Sequence, residues 1–172
     1  MDFETQVTHQ ETAEWQEPRS AAEIQYELER NKPMPSFNHS VAQHNLGVQL
    51  EIVYGKEFQI CPELEIQFPT QKAVPDISIY PKMRMNWQKD QIRRTDLPNL
   101  VIEILSPRQA FDDIMAKMMD IYFPAGIKSA WVVLPSAETI MIFKPDSKAQ
   151  SFTSGLVKDD VSGFEVNLDE IF

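Results

Sequence analysis

Two carboxylates stand where carboxylates are costly. Asp76 lies in VPDISIYP, directly after a proline and at the head of an apolar stretch, and Glu103 lies in LVIEILS between Ile102 and Ile104. An ionised group in a buried strand is strongly disfavoured unless it is paired or holds a cation. On neighbouring strands the two would repel each other, and a cation between them would remove that repulsion. With the backbone carbonyl of Ile104 they make an all-oxygen half-shell that suits Mg²⁺ or Mn²⁺, water completing the octahedron. Other readings stay open: Asp76 as the cap of a turn, Glu103 facing solvent at a sheet edge or paired with an arginine. Lys117 lies beside the apolar stripe of Ile114, Met118 and Ile121. Its ammonium either snorkels to solvent, pairs with Asp113 at i,i+4, or reaches a metal-bound water or a phosphate. In the last case it would stabilise the negative charge that develops in phosphodiester hydrolysis.

Most other chemistries lose support on composition. A single cysteine, Cys61, excludes an intrachain disulfide and a cysteine-based zinc cluster. Of the three histidines, His39 and His44 would lie about 140° apart on a helix, poor spacing for a shared metal, and His9, His39 and His44 are expected to be capping or surface residues. The chain has five glycines and no GxGxxG, Walker or G-x-S-x-G pattern, which weakens nucleotide-dependent and serine-hydrolase readings. No apolar run approaches the ~20 residues of a membrane-spanning helix. The N-terminal segment lacks the basic start and apolar core of a leader, so a cytoplasmic location is expected.

The elements that must position the acids follow from periodicity. Composition is that of a globular domain, 42% hydrophobic and 24% charged over 172 residues, so one domain over residues 21–172 is expected. Residues 1–20 carry five carboxylates against one arginine and are expected to be a flexible acidic tail. Residues 21–30 have helical spacing, and the two prolines of 31–36 require a loop. A long helix is predicted over 37–55, with Asn38 as its N-cap, Gly55 at its C-terminal end and a stripe of Val41, Leu46, Leu50 and Val53. Residues 57–68 alternate as one half-buried strand, 74–82 are extended, and 99–107 form a buried central strand. A polar connection, with room for one helical turn, spans 84–98. Residues 108–123 return to helical spacing, 129–135 and 139–145 form a hairpin, and the C-terminal part reads as short strands. The order is that of an α+β (mixed α/β) domain with helices packed on a central mixed sheet.

Charge is uneven. The net of −10 argues against a protein that coats nucleic acid by bulk attraction, yet residues 82–95 carry five basic side chains against Asp90. Lys89, Arg93 and Arg94, with Trp87 among them, are candidates for gripping a phosphate backbone; the alternative is a solvated loop. Met115, Met118 and Met119 belong either to the core or to a subunit contact.

The ordered series of PD in VPDISIYP, Glu103 in PNLVIEILSP, the run Asp113–Lys117–Ile121/Tyr122, and AGIKSAWVV resembles the Uma-type restriction endonuclease family, a branch of the PD-(D/E)XK nuclease superfamily. The resemblance covers about residues 22–145. It implies a restriction-endonuclease-like fold, a mixed four- or five-stranded sheet flanked by helices, and metal-dependent hydrolysis of DNA with Mg²⁺ held by Asp76 and Glu103. The superfamily lysine normally lies two residues after the glutamate; that position is Leu105 here, and the resemblance places the lysine on the next helix as Lys117. Glu63 resembles an acidic position of many members and is either a contact to a second metal or a solvated strand face. Glu29 is a weaker candidate. Homodimerisation is implied by resemblance only. The reading from a different class is a catalytically inactive nuclease-fold module for binding or assembly, which the net charge of −10 favours somewhat. Retention of two acids and a lysine at a strand–helix junction speaks against it.

Overall fold

The computed structural model describes residues 18–172, so most of the expected acidic tail, with His9, lies outside the described residues. Helix α1 (Ala21–Arg30) opens with a capping box: the Ser20 hydroxyl accepts from the Glu23 amide, and the Glu23 carboxylate accepts from the Ser20 amide. It closes at Asn31, in the left-handed region at φ 52°. Helix α2 (Phe37–Tyr54) is capped by Ser36, two residues earlier than the expected Asn38. Its buried face is His39, Ala42, Leu46 and Leu50. Val41 and Val53 of the expected stripe are exposed, because the helix turns its i, i+3, i+7, i+11 face to the sheet.

The strand predicted over 57–68 breaks in two. β1 (Phe58–Pro62) ends where Glu63 takes a positive φ of 54°, and β2 (Glu65–Gln67) starts a separate small sheet with β3 (Lys72–Ala73) and β5 (Arg93–Arg94). The turn at Glu63 redirects the chain, and so ends the alternation as a single ladder. β4 (Ile77–Pro81) and the fully buried β6 (Leu100–Ile104) pair antiparallel. The connection between them holds β5 and no helix. After β6 come α3 (Phe111–Lys117), a π-helical segment Met118–Tyr122 and a last turn Phe123–Ala125, then β7 (Ala130–Leu134), β8 (Thr139–Phe143) and β9 (Gln150–Phe152). β10 (Leu156–Lys158) and β11 (Glu165–Asn167) form a hairpin.

The main sheet has six strands in the order β1-β4-β6-β7-β8-β9, one more than the largest number expected. All neighbours are antiparallel except β6 and β7, which are parallel and joined through α3, as a parallel pair requires a crossover. The predicted hairpin is the β7–β8 pair. Strand parity divides the core. Leu100, Ile102 and Ile104 face α2 and the C-terminal hairpin, with Trp131, Phe164 and Leu168, whereas Val101 faces the α3 side, with Ile114, Met118, Ile121 and Tyr122. Glu103 shares the parity of Val101 and therefore points toward α3. Of the three methionines, Met118 is fully buried and Met119 half exposed. Among the described residues no helix is long and apolar enough to cross a membrane.

Candidate active site

The antiparallel register of β4 and β6 brings the N-terminal end of β4 beside the C-terminal end of β6. Asp76 precedes β4 and Glu103 stands near the end of β6, so residues 27 apart in sequence meet at one end of the sheet. Both are 1% exposed. One oxygen of Asp76 accepts from the Ile104 amide at 2.6 Å, which ties the carboxylate to the neighbouring strand. Its other oxygen takes the Lys32 ammonium and, at 3.1 Å, Nε2 of His39. Burial pushes the Asp76 carboxyl up, but the His39 hydrogen bond and the Lys32 charge outweigh it and bring it down to about 2. Glu103 is shifted the other way. Burial dominates, the Asp76 charge adds to it, and Lys117 offsets them only in part, so its carboxyl is raised.

Lys117 reaches Glu103 with Nζ at 3.3 and 3.4 Å from the two oxygens, not Asp113, whose carboxylate caps the Ala110 amide instead. The Tyr122 hydroxyl donates to the same Glu103 carboxylate, and burial, then Glu103, hold that phenol well above its usual range. Five residues apart on a regular α-helix, Lys117 and Tyr122 would diverge by about 140°. The π-helical segment that begins after Lys117 widens the turn, with Phe123 N–H bonded to the Met118 carbonyl, and swings Tyr122 back to the side of Lys117. The helix irregularity is thus what lets both side chains hold one acid.

Glu63 joins this group. Its carboxylate takes Arg30, both oxygens lie 3.1 Å from Lys32 Nζ, and Gln43 Nε2 bridges it at 3.2 Å to the Asp76 carbonyl at 2.8 Å. Glu29 stands apart, on the solvent side of α1 with Gln25 at 2.7 Å. The basic stretch is not in contact with the acids. Arg93 pairs with Glu65, Arg94 with Asp96 at 2.6 Å, and Lys89 is exposed. The connection leaves β4 at Pro81, the end opposite Asp76, roughly 16 Å away at about 3.3 Å per residue.

Lys32, His39, Gln43 and Tyr122 are site residues that sequence reasoning missed. His39 is not the capping or surface residue expected of it: it is 1% exposed, and its Nδ1 has no hydrogen-bond partner among the described residues. The signal was present, since His39 is the first member of the buried spacing 39, 42, 46, 50 on α2. For Lys32 no local pattern exists. Lys32 and Lys117 also line a cleft of about 410 Å³, together with Arg19, Arg108, Asp113 and Asp120, whereas Asp76, Glu103 and Glu63 lie outside its lining.

Asp76 and Glu103 offer carboxylate oxygens, the ligand type that a hard divalent cation takes, with Glu63 joined to Asp76 through Lys32. A stand-in cation, the Lys32 ammonium, already touches both Asp76 and Glu63. Among the described residues no three acid, histidine or cysteine side chains form a group that could hold a metal ion.

A mixed sheet with one parallel crossover and helices packed on it defines an α+β domain. The chain belongs to the Uma2 family, described as putative restriction endonuclease, whose match spans residues 9–168. In structure it is similar to a protein titled a putative nuclease belonging to DUF820 from Anabaena variabilis ATCC 29413, with a TM-score of 0.70 and 21% identity over 81% of this chain and 83% of that one. That likeness establishes the fold. No curated protein matches the chain.

Proposed function

We propose that the protein is a metal-dependent endonuclease that hydrolyses DNA phosphodiester bonds. The observation that carries this reading is a buried acid pair, each member held by a lysine that also lines an open cleft. Membership of the restriction endonuclease family supports it. Asp76 and Glu103 would hold Mg²⁺ or Mn²⁺, with the Ile104 carbonyl and Glu63 as further donors. When bound, the ion supplies a water of lowered pKa and polarises the phosphate. The Ile104 amide and His39 fix the Asp76 carboxylate, so that it is aimed before a ligand arrives. Tyr122 fixes Glu103 in the same way. Lys117, at the cleft wall, orients the attacking water or meets the charge developing on the phosphate oxygens. Glu103 is raised by burial, which makes a cation at its side the more favourable. Of the basic stretch, Lys89 is the exposed candidate for a phosphate contact, while Arg93 and Arg94 would have to exchange their acidic partners for it.

Supercoiled plasmid incubated with Mg²⁺ or Mn²⁺ tests the proposal, beside Glu103→Ala, Asp76→Ala and an EDTA control. Nicking or linearisation by the wild type alone, and only with metal, is the expected result. Cleavage by either variant at the wild-type rate would show the site to be misassigned. Absence of cleavage in every metal and salt condition would favour the non-catalytic module.

A further inference from the structure

The loop between α1 and α2 sends a lysine into the middle of the site. Lys32 follows Asn31, whose left-handed backbone ends α1, and precedes Pro33. It is 8% exposed, and its ammonium contacts one oxygen of Asp76 and both oxygens of Glu63, at 3.1 Å for the latter. A cation held between two carboxylates is the arrangement a divalent ion would adopt with the same pair. Arg30 on Glu63 and Lys117 on Glu103 complete the compensation, so three carboxylates face three cationic side chains. A divalent ion added to that set would lie against Lys32, a like charge in a buried site. The loop backbone is not free to retreat: the Lys32 amide bonds the Glu27 carbonyl at 3.2 Å, the Met34 amide bonds the Glu27 carboxylate at 3.3 Å, and Arg19 holds that carboxylate at 2.6 Å. The Lys32 side chain does have room, because it lines the 410 Å³ cleft.

We propose that Lys32 is a built-in counter-cation that competes with the divalent ion for Asp76, capping Asp76 and Glu63 in the metal-free chain and rotating into the cleft when the ion binds. The inference rests on the metal-dependent reading above. It makes the site self-neutralising before metal arrives, and it places a second ammonium in the cleft beside Lys117 afterwards.

Calorimetric titration with Mn²⁺ alone, without nucleic acid, tests it on the wild type, Lys32→Met and Lys32→Arg. Thermal melts confirm that each variant is folded; Glu63 keeps Arg30 in both. Lys32→Met is expected to bind Mn²⁺ about tenfold or more tightly than the wild type, since one like charge beside the ion is removed, and Lys32→Arg is expected to stay near the wild type. In ¹⁵N spectra of the lysine ammonium groups, the Lys32 signal should be protected from exchange without metal and lose that protection when diamagnetic Mg²⁺ is added. If the wild type binds the ion and Lys32→Met binds no tighter, the competition is refuted while the metal site stands. If neither protein binds Mn²⁺, the metal-dependent reading itself fails, and the competition with it.

Discussion

Replacing Asp76 by asparagine separates two accounts of the buried carboxylate. If it is held by its partners, the charge stabilises the fold; if it is retained for chemistry against the fold, removing the charge relieves it. The structure supports the first. A carboxyl that titrates near 3.8 when unfolded and is lowered to about 2 when folded contributes roughly 2–3 kcal/mol at neutral pH, at about 1.4 kcal/mol per tenfold. Because the folded value is the lower one, this stability is complete well above the unfolded value and is lost as pH falls through about 2; at pH 3 roughly half remains. Asparagine also leaves the Lys32 ammonium with Glu63 alone, and breaking a buried ion pair costs up to about 3–5 kcal/mol. Relief of Glu103, whose raised value owes part to Asp76, offsets some of this. The expected loss for Asp76→Asn is about 2–4 kcal/mol at pH 7, a fall in Tm of roughly 4–16 °C at 2–4 °C per kcal/mol for a domain of this size. The assay is urea unfolding of both proteins at pH 7 and pH 3, where the gap should shrink by about 1 kcal/mol. An Asp76→Asn variant as stable as the wild type at pH 7, or more stable, would refute the reasoning.

Glu103 and Lys117 are both almost fully buried, so Glu103→Gln and Lys117→Met should each destabilise by leaving a charge unpaired, whereas the double variant should recover most of the loss, with a coupling of about 1–3 kcal/mol in a thermal double-mutant cycle. Strict additivity would show that the pair does not interact. Asp159, fully buried away from the site, accepts from the Ser129 hydroxyl at 2.5 Å, Trp131 Nε1 at 2.9 Å, the Ser162 hydroxyl at 2.6 Å and the Val161 amide at 3.0 Å. Asp159→Asn turns a donor toward donors and should cost about 2–3 kcal/mol in denaturant unfolding without changing Mn²⁺ affinity; a shift in that affinity would link the C-terminal hairpin to the site.

Sequence by itself determined most of the elements and singled out Asp76, Glu103 and Lys117 as candidates, while Glu63 entered through the family resemblance. The period change at residue 57, the continuous apolar run of β6 and the prolines of 31–36 are local signals, and local signals specify helix, strand and loop. A carboxylate inside LVIEILS is legible for the same reason, since burying it needs a partner. Sequence could not decide which partner. That Lys117 takes Glu103 and leaves Asp113 follows from strand parity, which turns Glu103 toward α3, and from the π-helical turn, which realigns Tyr122 with Lys117. That β1 and β2 belong to different sheets follows from one left-handed residue, Glu63, whose conformation no alternation pattern encodes. Lys32 and His39 enter the site only because the loop after α1 and the first turn of α2 are folded against the N-terminal end of β4. The pairing of Lys32 with Asp76, 44 residues away, is a property of tertiary contact that no local pattern encodes.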